Sequence, residues 1–398
     1  MKWTPSTLAD RLYAAYLNLR YALVNVRTFA RAFFSKKPLF LVGCHSPIFA
    51  GNALHFLKNT YQFRDATVVG VAPRRSYYLL LKFGLPWVPR KSWMARVLSR
   101  RARAAFGTIR PISDIGPEVA GALQVLLWHG MALKGIGLQG KPASCYFPEI
   151  DFTIATSPFT SEIQQRAFDL PHSKVICSGE PKTDGFVDAD RPDVLKRLGG
   201  KYRKFLLYAP TYRDEEFQKP GEINTNVALV DRIVNSPEVS EALLKHNACM
   251  IITLHPFVRN LYKKPLEAPF FMSAPLGICT EHLMAAATCL ISDYSSVIID
   301  WLLLSRPMIL YCPDLEAYKE QRGFPYFDYE ETFGGWLAAD AGAVAQAIDG
   351  ALDESRNDAA NLEQLRQRFH VHAAGGASLR VFNRVLDEVC RRNRDSVD

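Results

Sequence analysis

Five short polar segments of this sequence carry side chains that could bind phosphate and transfer protons. Each segment directly follows an apolar run that is typical of a buried β-strand. In chain order they are LWHGMALKGIG (127–137), SGEPKTD (178–184), YAPTYRD (208–214), LHPFVRN (254–260) and SDYSS (292–296). Imidazoles exchange protons near neutral pH, and basic side chains and backbone N–H groups stabilise phosphate charge. The segments therefore indicate proton transfer beside a bound phosphate.

Two of these segments place a histidine at a strand end, His129 and His255. A single strand-end histidine is usually a structural residue. These two lie in different halves of the chain, however, and two imidazoles converging on one cleft would suit general base catalysis and phosphate stabilisation. Gly130 follows His129 and permits close approach of another backbone or a ligand. We predict His129 and His255 as catalytic residues and Gly130 as part of the substrate site.

Four basic residues belong to the polar clusters, and we predict all of them as substrate-binding: Lys134, Lys182, Arg213 and Arg322. Arg213 could bind phosphate or form a surface ion pair with its neighbour Asp214, and the sequence favours neither alternative. Arg322 lies in QRGFPYFDYE, where a phosphate clamp and an aromatic-lined loop are equally good interpretations. Charge stabilisation in the site would then come from Arg, Lys, His and backbone N–H groups.

The segment SDYSS precedes an apolar run that is typical of a helix, so Ser295 and Ser296 fall at a predicted helix N-terminus. Ser and Asp cap helices routinely, and capping alone explains most such turns. A helix N-terminus also offers free N–H groups and the positive end of the helix dipole to an anion. The turn formed by Asp293, Ser295 and Ser296 is therefore either a helix cap or a phosphate cradle.

Alternating strands and helices, which begin near residue 38, must position these segments. Strands are predicted at 38–43, 66–71, 123–129, 151–156, 174–179, 204–210, 249–255, 288–293 and 307–312. Continuous apolar strands of this kind occur in parallel sheets that are covered on both faces. A chain of 398 residues has room for two such α/β domains. Open α/β sheets bind ligands at the carboxyl ends of their strands, so we expect the five polar segments to meet at one cleft.

Two Rossmann-like sheets facing each other across a cleft form the glycosyltransferase-B-like arrangement, in which one domain commonly holds a nucleotide-activated donor and the other the acceptor. A charged stretch at 188–204 separates the two predicted units. The predicted divisions are an amphipathic basic membrane-associating helix (1–37), a Rossmann-like acceptor domain (38–200), a Rossmann-like domain for the nucleotide-activated donor (201–375) and a C-terminal helix (376–398). The last helix could pack on either domain.

The positive charge is concentrated in the first part of the chain. Residues 1–110 contain 19 lysines and arginines but only two acids, a net charge of +17, whereas the remainder carries −9 and the whole chain +8. This asymmetry indicates a polyanionic partner, either nucleic acid or an anionic membrane. No zinc-finger, RRM or KH signature is present, so the sequence favours the membrane and predicts no nucleic-acid partner.

Two basic segments support membrane contact at the cytoplasmic face. Residues 8–33 carry an apolar stripe at helical spacing, with three arginines along one edge; the stripe is Leu8, Leu12, Leu19, Leu23, Val26, Ala30 and Phe33. Residues 87–106 combine tryptophans with six basic residues and are interpreted as a second amphipathic helix at the interface. The alternative is that both helices pack on the protein with solvated charges. No apolar run approaches the ~18 residues that span a bilayer, and no cleavage-site pattern follows.

The eight cysteines include no C-x-x-C pair and lie mostly in apolar runs, so we expect reduced core residues without a zinc site or disulfides. The sequence contains no HExxH, P-loop or GxGxxG motif. It therefore predicts no metal site and no cofactor.

Taken together, the polar segments resemble the CDP-glycerol glycerophosphotransferases, which are primases and polymerases of teichoic acids and related capsule polymers. The resemblance runs from about residue 123 to 330 and rests on LWHGMALKGIG, SGEPKTD, YAPTYRDEE, LHP, LISDYSSVIIDWLLLSRPMILY and RGFPYFDYE, in family order and spacing. It implies a glycosyltransferase-B-like fold, a CDP-alditol donor and peripheral membrane attachment. It also implies that Asp293, Ser295 and Ser296 help to cradle the donor diphosphate, that His129 is the base, and that His255 lies near the donor phosphate.

This sequence departs from the family pattern at three places. Met131-Ala132 replaces the usual Thr-Pro after His-Gly, and Lys182 replaces the Arg of the Gly-x-Pro-Arg-x-Asp motif. Tyr212 replaces the Trp of the Pro-Thr-Trp-Arg motif, which leaves Thr211 in place as a predicted substrate-binding residue. These changes leave the transfer chemistry in place and leave the identity of the acceptor open. Lysine also cannot bind phosphate in the bidentate manner of arginine.

The predicted function is transfer of glycerol phosphate, or another alditol phosphate, from a CDP-alditol to a hydroxyl of a lipid-linked glycan or polymer, with release of CMP. One alternative is a nucleotide-sugar glycosyltransferase of the same fold. The other is a non-enzymatic protein that binds a membrane or a polyanion.

Overall fold

The structure is a computed structural model that describes most of the chain. The described residues are 8–46, 48–131, 133–140, 149–187, 194, 196, 202, 204–211, 213, 225–254, 270–275, 278–353 and 359–395. Within them, two parallel sheets form the centres of two α/β domains, as predicted. The predicted boundary at 188–204 falls largely outside the described residues.

The first domain is built on a parallel sheet that has seven strands within the described ranges. These are β1 (Leu39–Gly43), β2 (Thr67–Ala72), β3 (Trp87–Pro89), β4 (Ala102–Gly107), β5 (Leu123–Leu126), β6 (Phe152–Ala155) and β7 (Val175–Cys177). Their order across the sheet is β3-β2-β1-β4-β5-β6-β7. Side chains alternate along β1, so that Phe40 and Val42 enter the core on one face while Leu39 and Leu41 enter the core on the other. Burial on both faces explains why the strand is apolar at every position.

The second domain repeats the same plan, with six strands in the part of the chain that is described. These are β8 (Lys204–Tyr208), β9 (Ala248–Ile252), β10 (Phe271–Ser273), β11 (Cys289–Ser292), β12 (Met308–Tyr311) and β13 (Leu337–Ala338). Their order is β10-β9-β8-β11-β12-β13. Both sheets therefore have the doubly wound order, which reverses between β1 and β4 and between β8 and β11. Ligands of such folds bind outside the carboxyl ends of the strands at these reversals.

Helices cover the faces of both sheets. Those of the first domain are α1 (Leu8–Phe33), α2 (Gly51–Thr60), α3 (Tyr77–Lys82), α4 (Trp93–Ser99), α5 (Pro111–Asp114) and α6 (Pro158–Phe168). Those that follow are α7 (Thr225–Val234), α8 (Pro237–Lys245), α9 (Thr280–Ala286), α10 (Val297–Trp301), α11 (Leu315–Gln321), α12 (Tyr329–Phe333), α13 (Ala341–Leu352), α14 (Ala359–Phe369) and α15 (Ala377–Asp395). A 3₁₀ helix at Pro181–Phe186 carries part of the SGEPKTD segment.

The C-terminal helix α15 packs on the first domain although it follows the second in sequence. Val381, Phe382 and Val385 of this helix are buried in the same core as Phe40 of β1. The chain thus crosses back from the second domain to the first, which settles the alternative that the sequence left open.

The prediction of a second amphipathic helix at 87–106 is wrong. This segment forms β3, α4 and β4, and β4 lies in the middle of the first sheet between β1 and β5. Trp87 is fully buried, whereas Trp93 stays exposed on α4. Buried Ala102 and Ala104 flank the exposed Arg103, as expected at the start of a strand. The neighbouring arginines obscure this pattern in the sequence.

Helix α1 is present, and from Leu12 onward most of the apolar stripe predicted from the sequence is turned away from the protein. Its Phe29 and Ala32 pack on the first domain. The opposite face carries Leu12, Leu19 and Leu23, which are 60–63% exposed. No helix of the described residues is long and apolar enough to cross a bilayer. Contact of this face with a membrane surface stays a prediction.

The cysteines within the described ranges have free thiols, and most of them are buried or half-buried, as expected. Cys390 on α15 departs from the expectation because it is exposed.

Candidate functional site

A cavity of about 520 Å³ lies between the two domains at the carboxyl ends of both sheets. The loop after β5 forms one wall, and the loops after β8, β9 and β11 form the other. The predicted site residues in its lining are His129, Gly130, Lys134, Thr211, Ser295 and Ser296. The structure thus brings residues from distant polar segments into one space.

The turn after β11 is ordered by the buried side chain of Asp293. One carboxylate oxygen accepts hydrogen bonds from the backbone N–H groups of Thr211 (2.8 Å) and Tyr294 (2.7 Å). These contacts join the loops after β8 and β11 at the point where the strand order reverses. Asp293 is only 2% exposed, so its carboxylate supports the turn from behind rather than entering the cavity.

Arg213 is also buried, and the partners that the structure describes for it are two carboxylates of the second domain. Its guanidinium pairs with Asp293 on one side and with both oxygens of Asp314 on the other, at 3.1 and 3.0 Å. Burial alone would lower the pKa of Arg213, but the two carboxylates outweigh it and raise the pKa, so the group stays charged. The surface ion pair with Asp214 involves a residue outside the described ranges. Arg213 therefore holds Asp293, and through it the turn, in place.

The two serines of the turn do not cap a long helix. The helix that follows, α10, has five residues and passes into a 3₁₀ turn, so its dipole is much smaller than the sequence suggested. Ser296 makes no side-chain cap, and the Ser295 hydroxyl accepts only a long 3.4 Å contact from the N–H of Val297. Among the described residues, nothing accepts a hydrogen bond from the backbone N–H groups of Ser295 and Ser296. The turn can therefore offer these groups and two hydroxyls to an anion in the cavity.

His129 lies on the opposite wall, with its ring exposed to the cavity. Its Nδ1 is 3.3 Å from the carbonyl oxygen of Thr108. A carbonyl can only accept, so Nδ1 carries the proton and Nε2 keeps a free lone pair in the neutral ring. The surrounding protein and, to a smaller extent, the charges of Lys182 and Lys134 lower the pKa of His129 to about 4. A neutral imidazole with an accessible lone pair can act as a general base.

The loop that carries His129 is held by Asn52, a residue that the sequence analysis missed. Asn52 is buried at the start of α2, and its side-chain N–H₂ group donates to the carbonyl oxygens of Leu127 (2.8 Å) and Trp128 (3.3 Å). Its side-chain oxygen accepts from the N–H of Lys182 at 2.9 Å. One amide thus fixes the two polar loops of the first domain. No local sequence pattern identifies Asn52 as a site residue, because its hydrogen-bond partners lie at least 75 residues away in the chain.

Gly130 allows the two domains to touch beside His129. Its φ of +148° lies in the region that favours glycine. A Cβ atom at this position would overlap the Ser296 hydroxyl and lie 2.9 Å from the Ser296 Cβ. A side chain here would therefore push the turn after β11 away from the His129 loop.

Lys182 does not line the cavity and lies behind Gly130, only 7% exposed. Its ammonium pairs with Glu180 at 2.8 Å and with Asp300 at 2.7 Å. Burial lowers its pKa, but the two carboxylates raise it further, so Lys182 remains charged. Burial and the nearby Glu180 carboxylate outweigh the attraction of Lys182 and raise the pKa of Asp300 to about 7.

Lys134 is the cation that the cavity lining provides within the described residues. No hydrogen bond or ion pair to another described residue occupies its ammonium. Burial lowers its pKa, and the positive charge of nearby Arg322 lowers it further. Arg322 follows α11 and lies close to this wall without lining the cavity. Two cations held close together would be stabilised by a polyanionic ligand.

The loop that contains Arg322 reaches across to the first domain. The Tyr326 hydroxyl accepts a hydrogen bond from the N–H of Ile136 at 2.9 Å. Phe327 of the same loop packs on Phe159 of α6, with ring centroids 6.2 Å apart. The aromatic interpretation of this loop therefore agrees with its contacts, whereas a phosphate contact by Arg322 stays a prediction.

The predicted catalytic residue His255 lies outside the described residues, as do Tyr212 and Ala132. Thr253 and Leu254, which immediately precede His255, line the cavity. The role predicted for His255 therefore stays untested by this geometry. Within the described chain, the residues that line the cavity include no cluster of His, Cys and carboxylate side chains that could hold a metal ion.

Comparison with known proteins gives a consistent result. Residues 36–387 match the family described as CDP-Glycerol:Poly(glycerophosphate) glycerophosphotransferase. The teichoic acid ribitol-phosphate primase of Bacillus spizizenii is 29% identical over 283 residues, which cover 67% of this chain and 69% of the primase. The teichoic acid glycerol-phosphate transferase of Staphylococcus aureus is 24% identical over 346 residues, which cover 81% of this chain and 86% of that protein.

The fold is similar to that of the wall teichoic acid polymerase TagF. A solved structure of a TagF variant soaked with CDPG aligns with a TM-score of 0.67 and 16% identity, over 96% of this chain and 99% of that chain. At this identity the likeness concerns the fold, including the pairing of two parallel α/β domains.

Proposed function

This chain belongs to the family of CDP-glycerol:poly(glycerophosphate) glycerophosphotransferases and is an enzyme, and we propose that it transfers glycerol phosphate, or another alditol phosphate, to a hydroxyl of a lipid-linked glycan. The donor is a CDP-alditol. The names of the relatives include both a ribitol-phosphate primase and a glycerol-phosphate transferase, so either alditol fits the family. The single observation that carries the proposal is the cavity in which His129 faces the turn at Ser295 and Ser296.

In the proposed reaction, the acceptor hydroxyl attacks the β-phosphorus of the donor in line with the leaving group. A new bond forms between the acceptor oxygen and this phosphorus, and the bond from the phosphorus to the bridging oxygen breaks. CMP leaves with the bridging oxygen, and Nε2 of His129 takes the hydroxyl proton. Such phosphoryl transfer depends mostly on positioning and on stabilisation of charge.

The second domain holds the donor diphosphate in this proposal. The N–H and hydroxyl groups of Ser295 and Ser296 bind the phosphate oxygens. Lys134, which comes from the loop after β5 of the first domain, neutralises part of their charge from the opposite wall. Asp293 and Arg213 keep the turn rigid, because both are buried and occupied by protein partners. Preorganised donors of this kind stabilise charge without reorganising during the reaction.

We also propose that α1 attaches the enzyme peripherally to the cytoplasmic face of an anionic membrane, where a lipid-linked acceptor resides. Leu12, Leu19 and Leu23 support this because they project from the protein on one face of the helix. Arg20, Arg27 and Arg31 are exposed on the same helix and would lie near lipid phosphates.

A donor screen tests the proposed reaction. Purified full-length protein is incubated with CDP-glycerol, CDP-ribitol or UDP-sugars together with lipid-linked glycan acceptors, and released CMP and UDP are measured. We expect CMP only when a CDP-alditol and an acceptor are both present. Release of UDP from a UDP-sugar instead would identify a glycosyltransferase and contradict the proposal.

A further inference from the structure

A second group of reactive side chains lies between the two domains, beside the cavity but outside its lining. His55 comes from α2 of the first domain, whereas Cys279 and Glu281 come from the start of α9 in the second. One ligand atom from each residue lies within 4.8 Å of the other two. Side chains that supply nitrogen, sulfur and carboxylate oxygen are the ligands that Zn²⁺ prefers in proteins.

The ring of His55 gives a second and independent indication of a ligand. His55 is 1% exposed, and among the described residues neither of its ring nitrogens has a partner within 3.5 Å; the nearest carboxylate, that of Glu281, is slightly farther away. Burying an unsatisfied imidazole is unfavourable, because the ring gives up its hydrogen bonds to water. Its Nε2 lies 3.6 Å from a carboxylate oxygen of Glu281. That separation is close to the roughly 3.4 Å expected between two ligands bound to one tetrahedral Zn²⁺ at about 2.0–2.1 Å each.

The charges around this cluster also favour a cation. Glu281 shares a buried environment with Glu180 and Asp300, and Lys182 is the cation that the structure places among these three carboxylates. Among the described residues of this buried region, formal negative charge therefore exceeds positive charge. A bound divalent cation would balance it.

We propose that His55, Cys279 and Glu281 bind one Zn²⁺ ion that links the two domains. The Cys279 thiol releases its proton to solvent and binds as the thiolate, which needs a shift of about 1 Å toward the other ligands. Three protein ligands leave the fourth position for water. Its ligands come from both domains and lie outside the cavity lining, so the ion would fix the position of the second domain relative to the first. The sequence analysis predicted no metal because His55 is separated from its two partners by more than half of the chain.

Metal binding to the full-length protein tests the proposal. Protein stripped with a chelator is dialysed against Zn²⁺, and bound metal is measured by mass spectrometry. We expect about one ion per chain, with affinity reduced about tenfold or more in each of Cys279→Ser, Glu281→Gln and His55→Ala. With Co²⁺ as the probe, the unmodified protein should show thiolate-to-metal charge-transfer absorption, and Cys279→Ser should lose it.

Two control variants separate this site from adventitious binding. Cys390→Ser removes an exposed thiol, and His246→Ala removes the histidine of a more exposed cluster with Asp349 and Asp353. Neither should change the Co²⁺ spectrum. The proposal is overturned if the unmodified protein retains no metal, which would leave only an ion pair between His55 and Glu281. Absorption that survives Cys279→Ser but disappears in Cys390→Ser would overturn it as well.

Discussion

The Lys182 ammonium lies 2.7 Å from a carboxylate oxygen of Asp300, and this buried ion pair connects the two domains directly behind the cavity. The sequence predicted Lys182 as a phosphate ligand because it follows a strand in a family motif. In the structure its ammonium is already shared between Glu180 and Asp300. Its position suits a residue that holds the domains in register around the donor.

Replacing Lys182 with Met should reduce the stability of the protein. The variant leaves the carboxylates of Glu180 and Asp300 buried without a cation, and breaking a buried pair in this way costs about 3–5 kcal/mol. Urea denaturation of both proteins measures the difference. Lys245→Met removes a surface ion pair with Asp349 and serves as the control, for which we expect no measurable loss. A Lys182→Met variant of unchanged stability that binds CDP-glycerol poorly would instead support the phosphate-ligand role.

His129→Ala should lower turnover about 10²-fold or more, which is the usual effect of losing a general base. Binding of CDP-glycerol should be retained, because the turn at Ser295 and Ser296 lies on the other wall. Steady-state assays and calorimetry give the two quantities separately. His172→Ala removes an exposed histidine and should behave as the unmodified enzyme. Near-normal turnover of His129→Ala would exclude His129 as the base.

The pH profile of kcat/KM should show the lowered pKa of His129. The group is neutral above its pKa of about 4, so it can accept a proton throughout the range from pH 5 to 8. We therefore expect no loss of kcat/KM on its account between pH 7 and 5. An acid limb centred near 6.5, the pKa of an unperturbed histidine, would show that solvent hydrates the ring in the free enzyme and would contradict the lowered pKa.

Local patterns in the sequence were sufficient for the two-domain fold and for six of the sixteen described residues that line the cavity. Continuous apolar strands such as β1 and β8 are recognisable because burial on both faces requires them. Polar residues after those strands, such as His129 and Ser296, must meet because parallel strands end at the same edge. The strand β4 escaped prediction because its alanines also favour helices and basic residues surround it.

The supporting residues could not be predicted because their partners lie far away in sequence. Asn52 acts through backbone carbonyls that no sequence pattern reveals. Arg213 and Lys182 were recognised as substrate-site residues, with a surface ion pair as the alternative for Arg213. Their ion pairs with the carboxylates of Asp293, Asp314, Glu180 and Asp300 were not predicted. The sequence could have indicated Asp314 as a site residue, because it follows β12 in the way that the other polar residues follow their strands.

Replacing both Ser295 and Ser296 with Ala should weaken binding of CDP-glycerol by roughly 1–3 kcal/mol, the value of one or two hydrogen bonds to a charged group. Binding should not disappear, because the backbone N–H groups remain. Calorimetry measures the affinity. Ser236→Ala is the matched control: Ser236 caps α8 through the N–H of Val239, so its loss should affect stability but not donor affinity. Unchanged affinity in a folded double variant would leave the serines without a role in donor binding.

His370 should make the protein less stable in acid. It lies where the chain passes from the second domain back to the first, is 3% exposed, and donates from Nε2 to the carbonyl oxygen of Ile299 at 2.7 Å. Burial lowers its pKa to about 4, whereas the unfolded chain titrates near 6.5. The unfolded state therefore binds the proton more tightly, and stability falls as the pH decreases from about 6.5 to 4.

The contribution of His370 amounts to about 3 kcal/mol, since each pKa unit corresponds to 1.36 kcal/mol. Urea denaturation at pH 7 and pH 4.5 should show a smaller acid loss in His370→Gln than in the unmodified protein. The comparison isolates His370, because the other titrating groups are common to both proteins. Equal losses in the two proteins would place the acid sensitivity elsewhere.

The exposed face of α1 should determine binding to anionic vesicles. Deleting residues 1–37 is a poor test of this, because it also removes Phe29 and Ala32 from the core of the first domain. Substitution of Leu19 and Leu23 with Glu leaves those packing residues in place and adds two negative charges to the apolar stripe. Co-sedimentation of the double variant with anionic vesicles should fall sharply, while binding of CDP-glycerol in the cavity should be unchanged.

Salt and a matched surface variant distinguish insertion from simple charge attraction. Each Lys or Arg near the membrane contributes about 1 kcal/mol, which salt screens, whereas burial of leucine side chains in the interface persists. Vesicle binding of the unmodified protein should therefore weaken but survive in high salt, and neutral vesicles should bind it poorly. Leu244→Glu, which changes a leucine that is 62% exposed on the second domain, should bind vesicles normally. If the unmodified protein remains in the supernatant at low salt, or binds RNA tightly while ignoring vesicles, α1 does not serve as a membrane anchor.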